Sequence, residues 1–456
     1  AGAAFALAVA CMRLLFQRRR PKRPTVGFFH PYCNDGGGGE RVLWQMVKSI
    51  RVAHPKFSCV VFSGDVTASP EQILAKVRGR FGIDLTAADV SFVFLRTRGC
   101  VEARYYPVCT MLGQSLGAVV MALEALQLCN PHVLLDTMGY SFALPVFHYL
   151  GRCWTGCYVH YPTISVDMLQ AVAEGRSAHN NRALFNLPLL RAAKLRYYRL
   201  FAALYGVMGR AAHLVMTNSS WTRGNIEQLW PRCRLVTSTL FPPCNVAHLV
   251  LSPLEGRDRN LIVSIAQFRP EKDQALQIRA LARLLARRRE DFPSLRLVLI
   301  GSCRHADDEA LVAGLRSLAS ELGVAEHVQF EVNASYPALL GWLAKAQYGV
   351  HSMWCEHFGI GIVELLAAGL AVVAHNSGGP KMDIVVPWEG QETGRLASTE
   401  EEYASQLEAL LDMPAADLLQ LQRAARASTA RFSDEQFTAD FLDTVRPLLK
   451  QVKRRI

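Results

Sequence analysis

The residues best suited to chemistry are two carboxylates, Glu356 and Glu364, in the stretch "EHFGIGIVELLAAGL". The run "YGVHS" before them predicts a strand, and the residues after Gly361 predict a helix. Backbone N–H groups at a helix start bind phosphates and sugar hydroxyls, because they lack partners within the helix and the dipole is positive there. Glu364 can then accept from both hydroxyls of a ribose, and Glu356 from a sugar beyond the phosphates. A structural role for both, as a helix N-terminal charge and a surface residue, is the alternative.

Two basic residues follow another predicted strand, residues 261–265, in the motif "QFRPEKD". Arg269 and Lys272 are close enough in sequence for their charges to converge on a pyrophosphate. As isolated residues they would be ordinary solvated charges. Their place at the same sheet edge as Glu356 favours phosphate binding.

A histidine ends a third predicted strand, in the motif "YVHYPT". A single histidine is more often a hydrogen-bonded core residue than a functional one, but His160 comes at the carboxyl end of its strand, where ligands bind. The sequence contains no D-x-D motif and no P-loop lysine motif. We therefore expect no carboxylate-held metal on a diphosphate.

Four consecutive glycines join a strand to a helix in "FFHPYCNDGGGGERVLW". Glycine is costly to order, so a turn made only of glycine suggests close approach of the backbone to a ligand, with N–H groups as donors. A flexible surface loop is the alternative. Glu40, which follows, is expected to be structural, and the role of Arg41 stays open. The four residues of this glycine turn are Gly36, Gly37, Gly38 and Gly39.

Strand-like runs alternate with helical stretches along the chain, which predicts an α/β protein with parallel sheets and crossover helices. The turn-rich stretch "LSPLEGRDRN" separates two such series and is the best linker candidate. We predict two doubly wound, Rossmann-like domains that face each other across a cleft. The predicted segments are an N-terminal anchor with its basic flank (1–23), a first domain (24–250), a second domain (251–432) and a terminal helix that can pack back across the cleft (433–456).

The composition fits a large globular chain with an anionic partner. The 456 residues carry a formal net charge of +11, from 50 basic and 39 acidic side chains. No zinc-finger spacing or aromatic RNA-binding signature supports nucleic acid as that partner. The 12 cysteines show no disulfide-like spacing, which is typical of a reducing compartment.

Three apolar stretches bear on membranes. The N-terminal "AGAAFALAVACMRLLF", followed by "QRRRPKRP", is interpreted as the end of a truncated anchor with its basic flank in the cytosol, and a signal peptide is the rival. Residues 108–127 predict a buried core helix, and a membrane span is the alternative. Residues 184–214 mix aromatic and basic side chains, which suits either a membrane interface or a long helix packed on the first domain.

These motifs together resemble a known family. The E-x₇-E pattern with an upstream Arg and Lys, on two doubly wound domains, is similar to the retaining GT-B glycosyltransferases that use nucleotide sugars. With "DTMGYSFALP" and "MTNSSWT" in order between the motifs above, the chain resembles the GDP-mannose-dependent α-1,2-mannosyltransferases of lipid-linked oligosaccharide assembly. Asp35 departs from the pattern, since an acid there would repel a diphosphate unless it points away.

The resemblance implies a donor site in the second domain. Glu364 would hold the ribose of GDP, and Arg269 and Lys272 its diphosphate. Further contacts would come from the backbone amides of three residues: Phe358, Gly359 and Ile360.

The resemblance also implies the chemistry. Glu356 would bind the hydroxyls of the donor mannose, and His160 would contact that sugar near its reacting carbon. The anomeric configuration would be retained without a protein nucleophile, cofactor or metal, because the leaving phosphate can help to deprotonate the acceptor. The residues expected to act on the reacting groups are His160, Glu356, Arg269 and Lys272.

The acceptor and location follow from the same resemblance. The acceptor would be a dolichyl-pyrophosphate-linked trimannosyl oligosaccharide, which gains its fourth and fifth mannoses on the cytosolic face of the endoplasmic reticulum membrane. Association with other mannosyltransferases of the pathway stays open, and no nucleic acid is expected.

Four other functions fit parts of the sequence. Another GT-B transferase with a lipid-linked acceptor is the nearest. The "GQSLG" stretch matches a serine-hydrolase elbow, with Ser115, Asp136 and His160 in triad order. A glycoside hydrolase could use Glu356 and Glu364 but would not need Arg269 or Lys272. A non-catalytic binder with a decayed site is the fourth.

Overall fold

The computed structural model describes residues 2–173, 188–230 and 237–453. Residues 184–187 of the predicted long helix and residues 454–456 of the predicted terminal helix lie outside the described part. The chain divides into two compact units, residues 1–243 with 437–456, and residues 244–436. The boundary falls earlier than expected between 250 and 251, because the Cys244 N–H donates to the Phe432 carbonyl within the second unit at 2.8 Å.

The first unit is built on a parallel sheet of seven strands in the order β3-β2-β1-β4-β5-β6-β7. Its strands are β1 (Thr25–Phe29), β2 (Ser58–Ser63), β3 (Val90–Phe94), β4 (Val133–Asp136), β5 (Trp154–Val159), β6 (Leu214–Thr217) and β7 (Thr237–Thr239). Its helices up to residue 243 are α1 (Gly2–Gln17), α2 (Gly38–Ala53), α3 (Pro70–Phe81), α4 (Thr110–Leu128), α5 (Ala143–Pro145), α6 (Val166–Ala173), α7 (Pro188–Gly209) and α8 (Ser220–Leu229). The strand order reverses between β1 and β4, which is where such sheets bind ligands.

The second unit repeats this plan with six parallel strands in the order β10-β9-β8-β11-β12-β13. The strands are β8 (Asp258–Ile265), β9 (Arg296–Gly301), β10 (Val328–Val332), β11 (Ala346–His351), β12 (Ala371–His375) and β13 (Arg395–Ala397). The helices are α9 (Gln274–Arg288), α10 (Ala306–Glu321), α11 (Tyr336–Lys345), α12 (Ile360–Ala368), α13 (Glu400–Leu411) and α14 (Ala415–Ser428). The order reverses between β8 and β11, so the loops after these two strands start side by side.

The prediction of two parallel α/β folds is confirmed, and the central strands match the predicted runs. Strand β1 is buried along its whole length, as expected for a strand covered by helices on both faces. Three strands were not predicted, and they lie at edges of their sheets and have partly exposed residues: β3, β7 and β13.

The last helix, α15 (Asp434–Lys453), packs in the first unit. Phe437, Phe441 and Leu448 belong to the same buried cluster as Phe28 of β1. The Thr438 hydroxyl also lies 3.1 Å from the Ser49 hydroxyl of α2. The chain therefore returns to its first unit after the second is complete.

Helix α4 differs from the buried core helix that was expected. Among the described residues it is the one helix long and apolar enough to cross a membrane by length and composition, and 33% of its apolar window is buried. Met121 and Ala125 lie in the core, whereas Leu116 and Val120 are exposed. The helix is therefore a core helix only on the face that carries Met121 and Ala125.

Candidate active site

In the second unit, the predicted charged residues lie on loops that follow adjacent strands. Arg269 and Lys272 come after β8, and Glu356 comes after β11. Lys272 Nζ donates a hydrogen bond to Glu356 Oε2, and His351 Nε2 lies 3.4 Å from the same oxygen. The structure therefore joins Lys272 and Glu356 directly and adds His351, which the sequence analysis did not name.

Glu356 is held as an ionised carboxylate. Its side chain is 13% exposed and that of Lys272 is 20% exposed. Burial alone would raise the pKa of Glu356, but the hydrogen bond with His351 and the charge of Lys272 outweigh it and hold the pKa well below its usual range. An ionised carboxylate only accepts hydrogen bonds, so Glu356 is suited to bind hydroxyl groups.

Ser352 connects the two loops that carry these charges. Its hydroxyl oxygen lies 2.8 Å from the carbonyl oxygens of both Lys272 and Asp273. Gln277 Nε2 donates to the same hydroxyl at 2.7 Å. Because Ser352 directly follows β11, it ties the loop after β8 to the strand that leads to Glu356.

Arg269 is placed differently from Lys272. Its side chain is exposed, and its guanidinium lies 3.9 Å from the Glu271 carboxylate, which is a long ion pair on the surface. A guanidinium in this position can bind a phosphate without breaking a buried contact. The predicted pair of phosphate ligands thus consists of one exposed arginine and one lysine engaged with Glu356.

The glycines between the two glutamates have separate geometric roles. Gly359 caps α12 with a φ of 116°, in the left-handed region that favours glycine. At Gly361 a β-carbon would lie 3.1 Å from the Ile265 carbonyl oxygen, so the helix start packs closely on the end of β8. Phe358 and Ile360 flank Gly359 at this helix start, and Glu364 lies partly buried on α12.

A third loop, "NSGGP" after β12, supports the Glu356 loop and was not identified from the sequence. The Gly379 N–H donates to the Glu356 carbonyl at 2.8 Å, and the Cys355 N–H donates to the Ser377 hydroxyl at 2.8 Å. At Gly378 a β-carbon would lie 2.4 Å from the Glu356 carbonyl oxygen. The paired glycines were the available signal, because they allow this contact between two backbones.

In the first unit, the glycine turn follows β1 and starts α2. Gly36 has a φ of 83°, and the Gly37 N–H donates to the Glu40 carboxylate. The other Glu40 oxygen lies 3.2 Å from His30 Nε2, and His30 Nδ1 lies 2.8 Å from the Thr137 hydroxyl. Buried Glu40 therefore connects the turn to β1 and to the loop after β4.

Arg41 and Asp35, whose roles were open, both have structural surroundings. Arg41 is buried and donates to the carbonyls of Pro243 at 3.0 Å and Phe81 at 3.2 Å. Asp35 is exposed, and burial of part of its surface together with the charge of Glu40 raises the pKa of its carboxyl. Neither arrangement assigns a ligand to these residues.

The fold brings His160 next to the glycine turn. A β-carbon at Gly39 would lie 3.5 Å from His160 Nε2. The Tyr158 ring packs edge-on to the imidazole, with centroids 4.7 Å apart. Any side chain at Gly39 would thus stand against the imidazole.

The hydrolase interpretation of "GQSLG" is wrong. Ser115 lies inside α4, whereas a nucleophile elbow needs a sharp turn between a strand and a helix. Asp136 is fully buried at the end of β4 and accepts from the Met138 N–H at 3.0 Å. Its burial raises the pKa of its carboxyl to about 7.

Comparison with known proteins identifies the family. The family model described as ALG11 mannosyltransferase N-terminus matches residues 23–230, and that described as Glycosyl transferases group 1 matches residues 252–428. A human relative, named GDP-Man:Man(3)GlcNAc(2)-PP-Dol alpha-1,2-mannosyltransferase, is 48% identical over 96% of this chain and 92% of its own length. The chain belongs to the ALG11 mannosyltransferase family.

More distant members of this ALG11 family carry the same printed name. One from Dictyostelium discoideum is 42% identical, covering 94% of this chain and 86% of its own. One from Caenorhabditis elegans is 39% identical and covers 93% of this chain and 91% of its own. The resemblance stated from the motifs is therefore confirmed.

Solved structures show the fold of this family member. Anabaena HepE, in complex with UDP and glucose, has a TM-score of 0.61 at 15% identity and covers 92% of this chain and 98% of its own. A trehalose 6-phosphate synthase from Burkholderia multivorans has a TM-score of 0.66 at 13% identity, with coverages of 95% and 100%. The GT-B fold predicted from the sequence is confirmed.

Proposed function

We propose that the protein is a retaining α-1,2-mannosyltransferase that moves mannose from GDP-mannose onto a dolichyl-pyrophosphate-linked trimannosyl oligosaccharide. The observation that carries this proposal is the 48% identity to the human relative of that name over 96% of the chain. The partly buried pair of Glu356 and Lys272, where the second sheet reverses its strand order, supports the proposal, because both groups suit a nucleotide sugar. The acceptor thereby gains its fourth and fifth mannoses.

The donor is bound by the second unit in this proposal. Arg269 and Lys272 hold the diphosphate of GDP, and Glu364 accepts from the ribose hydroxyls. A lysine ammonium has three N–H donors, so Lys272 can keep its bond to Glu356 and still donate to a phosphate oxygen. Backbone N–H groups at the start of α12 add to the phosphate site, at Phe358, Gly359 and Ile360.

Glu356 and His160 act on the donor mannose. Glu356 accepts from its hydroxyls and orients the ring, and His160 contacts the sugar near its reacting carbon. The bond between the anomeric carbon and the phosphate oxygen breaks, and the acceptor hydroxyl oxygen forms a new bond on the same face of the sugar. The proton of that hydroxyl passes to the leaving phosphate, so no protein base is needed.

Charge stabilisation accounts for most of the rate in this scheme. The leaving diphosphate gains negative charge as its bond breaks, and the cations of Arg269 and Lys272 stabilise that charge. We propose that the protein supplies this stabilisation itself and needs no divalent metal.

We propose that the protein works at the endoplasmic reticulum membrane with its catalytic units in the cytosol. Exposed apolar residues support a membrane contact, with Leu14 on α1, Leu116 on α4 and Leu200 on α7. The basic residues of α7, such as Arg196 and Arg199, suit an anionic lipid surface. Association with other mannosyltransferases of the pathway would concentrate the enzymes on one substrate.

A transfer assay tests the proposed function. The purified protein is incubated with GDP-mannose and the trimannosyl lipid-linked acceptor, and mass spectrometry counts the added mannoses. We expect two mannoses, both removable by an α-1,2-mannosidase, and equal rates with and without EDTA. Transfer only from a different nucleotide sugar would instead support another GT-B transferase, and loss of activity in EDTA with recovery in manganese would overturn the metal-free scheme.

A further inference from the structure

Two aromatic side chains lie at the edge of the first sheet where His160 is placed. Strands β5 and β6 are neighbours that end together, with Val159 paired to Thr217. Tyr161 directly follows His160 after β5, and Trp221 is in the first turn of α8 after β6. Parallel neighbouring strands thus bring both rings to the same carboxyl edge.

The two rings are parallel. Their centroids are 6.4 Å apart, and their planes are inclined by 7°. The Tyr161 hydroxyl donates to Met168 Sδ at 3.1 Å. The Thr222 N–H donates to the Ser219 hydroxyl at 3.1 Å, which caps α8 and orients its first turn, where Trp221 lies. The aromatic pair is therefore held by contacts on both loops.

The Tyr161 side chain is open to solvent, with 38% of the residue exposed, and Trp221 is partly exposed. An aromatic face carries a partial negative charge and binds groups whose hydrogens are slightly positive. One face of a pyranose ring consists mainly of such C–H groups, while its hydroxyls point outward. Parallel exposed rings therefore match stacked sugars better than they match phosphates.

We propose that Tyr161 and Trp221 form the platform on which mannose residues of the acceptor stack. This inference rests on the proposed function, because it takes the acceptor to be an oligosaccharide. The donor already has its charged and hydroxyl-binding partners in the second unit, at Arg269, Glu364 and Glu356. The acceptor sugar next to the reacting carbon has no charge to recognise, so apolar ring contacts beside His160 suit it.

Kinetics that separate the two substrates test the platform. In Tyr161→Ala and in Trp221→Ala we expect the KM for the lipid-linked acceptor to rise about tenfold, since each change removes one stacking surface. The KM for GDP-mannose should stay within about twofold of the wild type, because the donor site is unchanged. Tyr161→Phe keeps the ring and should retain the acceptor KM.

Tyr149→Ala is the matched control. Tyr149 is an exposed tyrosine, with 53% of the residue accessible, and it precedes β5 at the opposite end of the same strand. The KM of Tyr149→Ala for the acceptor should equal that of the wild type. Thermal unfolding curves should show that all variants are folded. An unchanged acceptor KM in both alanine variants, or an equal rise for GDP-mannose, would overturn the platform.

A binding measurement separates this inference from the proposed function. Absence of mannose transfer by the wild type would refute the proposed function itself. The platform is tested independently by NMR saturation transfer from the protein to the sugar protons of the soluble trimannosyl oligosaccharide of the acceptor, released from its lipid. We expect a signal with the wild type that is lost in Tyr161→Ala, and no signal with the wild type would overturn the platform.

Discussion

The carboxyl edges of the two sheets have the same topology and different chemistry. Where the second sheet reverses its strand order, the loops carry Arg269, Lys272 and Glu356, with two of these charges paired at partial burial. Where the first sheet reverses, the loop after β1 carries one exposed acid, Asp35, before the glycines that start α2, and Glu40 of α2 is buried with His30. In the proposed mechanism, side-chain charges bind the ligand at the edge of the second sheet, whereas backbone N–H groups of the glycines would approach a ligand closely at the edge of the first.

The largest loss of activity should come from changes at the charged edge, the loops of the second sheet that carry Arg269, Lys272 and Glu356. In Glu356→Gln we expect the transfer rate to fall on the order of 10²–10³-fold, because the amide replaces an ionised acceptor that orients the donor sugar. The fold should persist, since the amide keeps the shape of the carboxylate. Turnover in the mannose assay and a thermal unfolding curve measure the two effects.

Glu392→Gln is its control in the same unit. Glu392 is exposed and pairs with Arg395 at 3.0 Å, a type of surface contact that contributes less than about 1 kcal/mol. Its transfer rate should match that of the wild type. A Glu356→Gln protein with full activity would remove Glu356 from the reaction.

A second experiment should distinguish the roles of Arg269 and Lys272. Arg269→Ala and Lys272→Ala should each weaken GDP binding about tenfold in calorimetry, because each removes a charged phosphate contact. Lys272→Ala should also lower turnover at saturating donor, since Glu356 loses its ionic partner. Arg283→Ala, at an exposed arginine paired with Glu400, is the control. Unchanged GDP affinity in Arg269→Ala would refute its phosphate role.

The charged edge was largely predictable from the sequence. Arg269 and Glu356 lie on the loops after β8 and β11, and His160 directly follows β5 of the first sheet, so parallel topology fixes the sheet edge on which each residue lies. Their local pattern therefore carried most of the information. The edge strands β7 and β13 have three residues each, which is too short for such a pattern.

The supporting contacts were not predictable, because they join residues far apart in the chain. Ser352 bonds to the loop after β8, and Gly379 bonds to the Glu356 carbonyl from the loop after β12. The contact between Gly39 and His160 likewise arises only when β1 and β5 are placed in one sheet. Single-sequence patterns report local burial and do not specify such pairs.

At the glycine edge, the turn of Gly36 to Gly39 in the first unit, added side-chain volume should reduce activity more than a change of charge does. Gly39→Val places a branched side chain against the His160 imidazole, so we expect about a tenfold loss of transfer with little change in the free energy of unfolding. Gly36→Ala should show the reverse, with about 1–2 kcal/mol lost in stability, because its φ of 83° is unfavourable for alanine. Transfer assays and urea unfolding of both variants make the comparison. Equal losses of stability in the two variants would contradict the functional reason for Gly39.

The smallest effect is a pH dependence of stability that distinguishes Glu356 from Glu40. The unfolded Glu356 carboxyl titrates near 4.5, and in the folded protein its pKa is lowered because the hydrogen bond with His351 and the charge of Lys272 outweigh the effect of burial. Its contribution to stability is therefore complete above the unfolded pKa and declines as the pH falls, since the unfolded state then binds the proton first.

The difference in unfolding free energy between the wild type and Glu356→Gln should accordingly be flat above about pH 5.5 and shrink below it. Glu40→Gln, in the first unit, should show the same direction with a smaller change, because hydrogen bonds with His30 and the Gly37 N–H, and no lysine, lower the pKa of Glu40 against the effect of burial. Urea unfolding from about pH 7 to pH 4 measures both differences. A Glu356 difference that stays constant across this range would show that Lys272 does not stabilise the carboxylate, and the contrast between the charged edge and the glycine edge would lose its electrostatic basis.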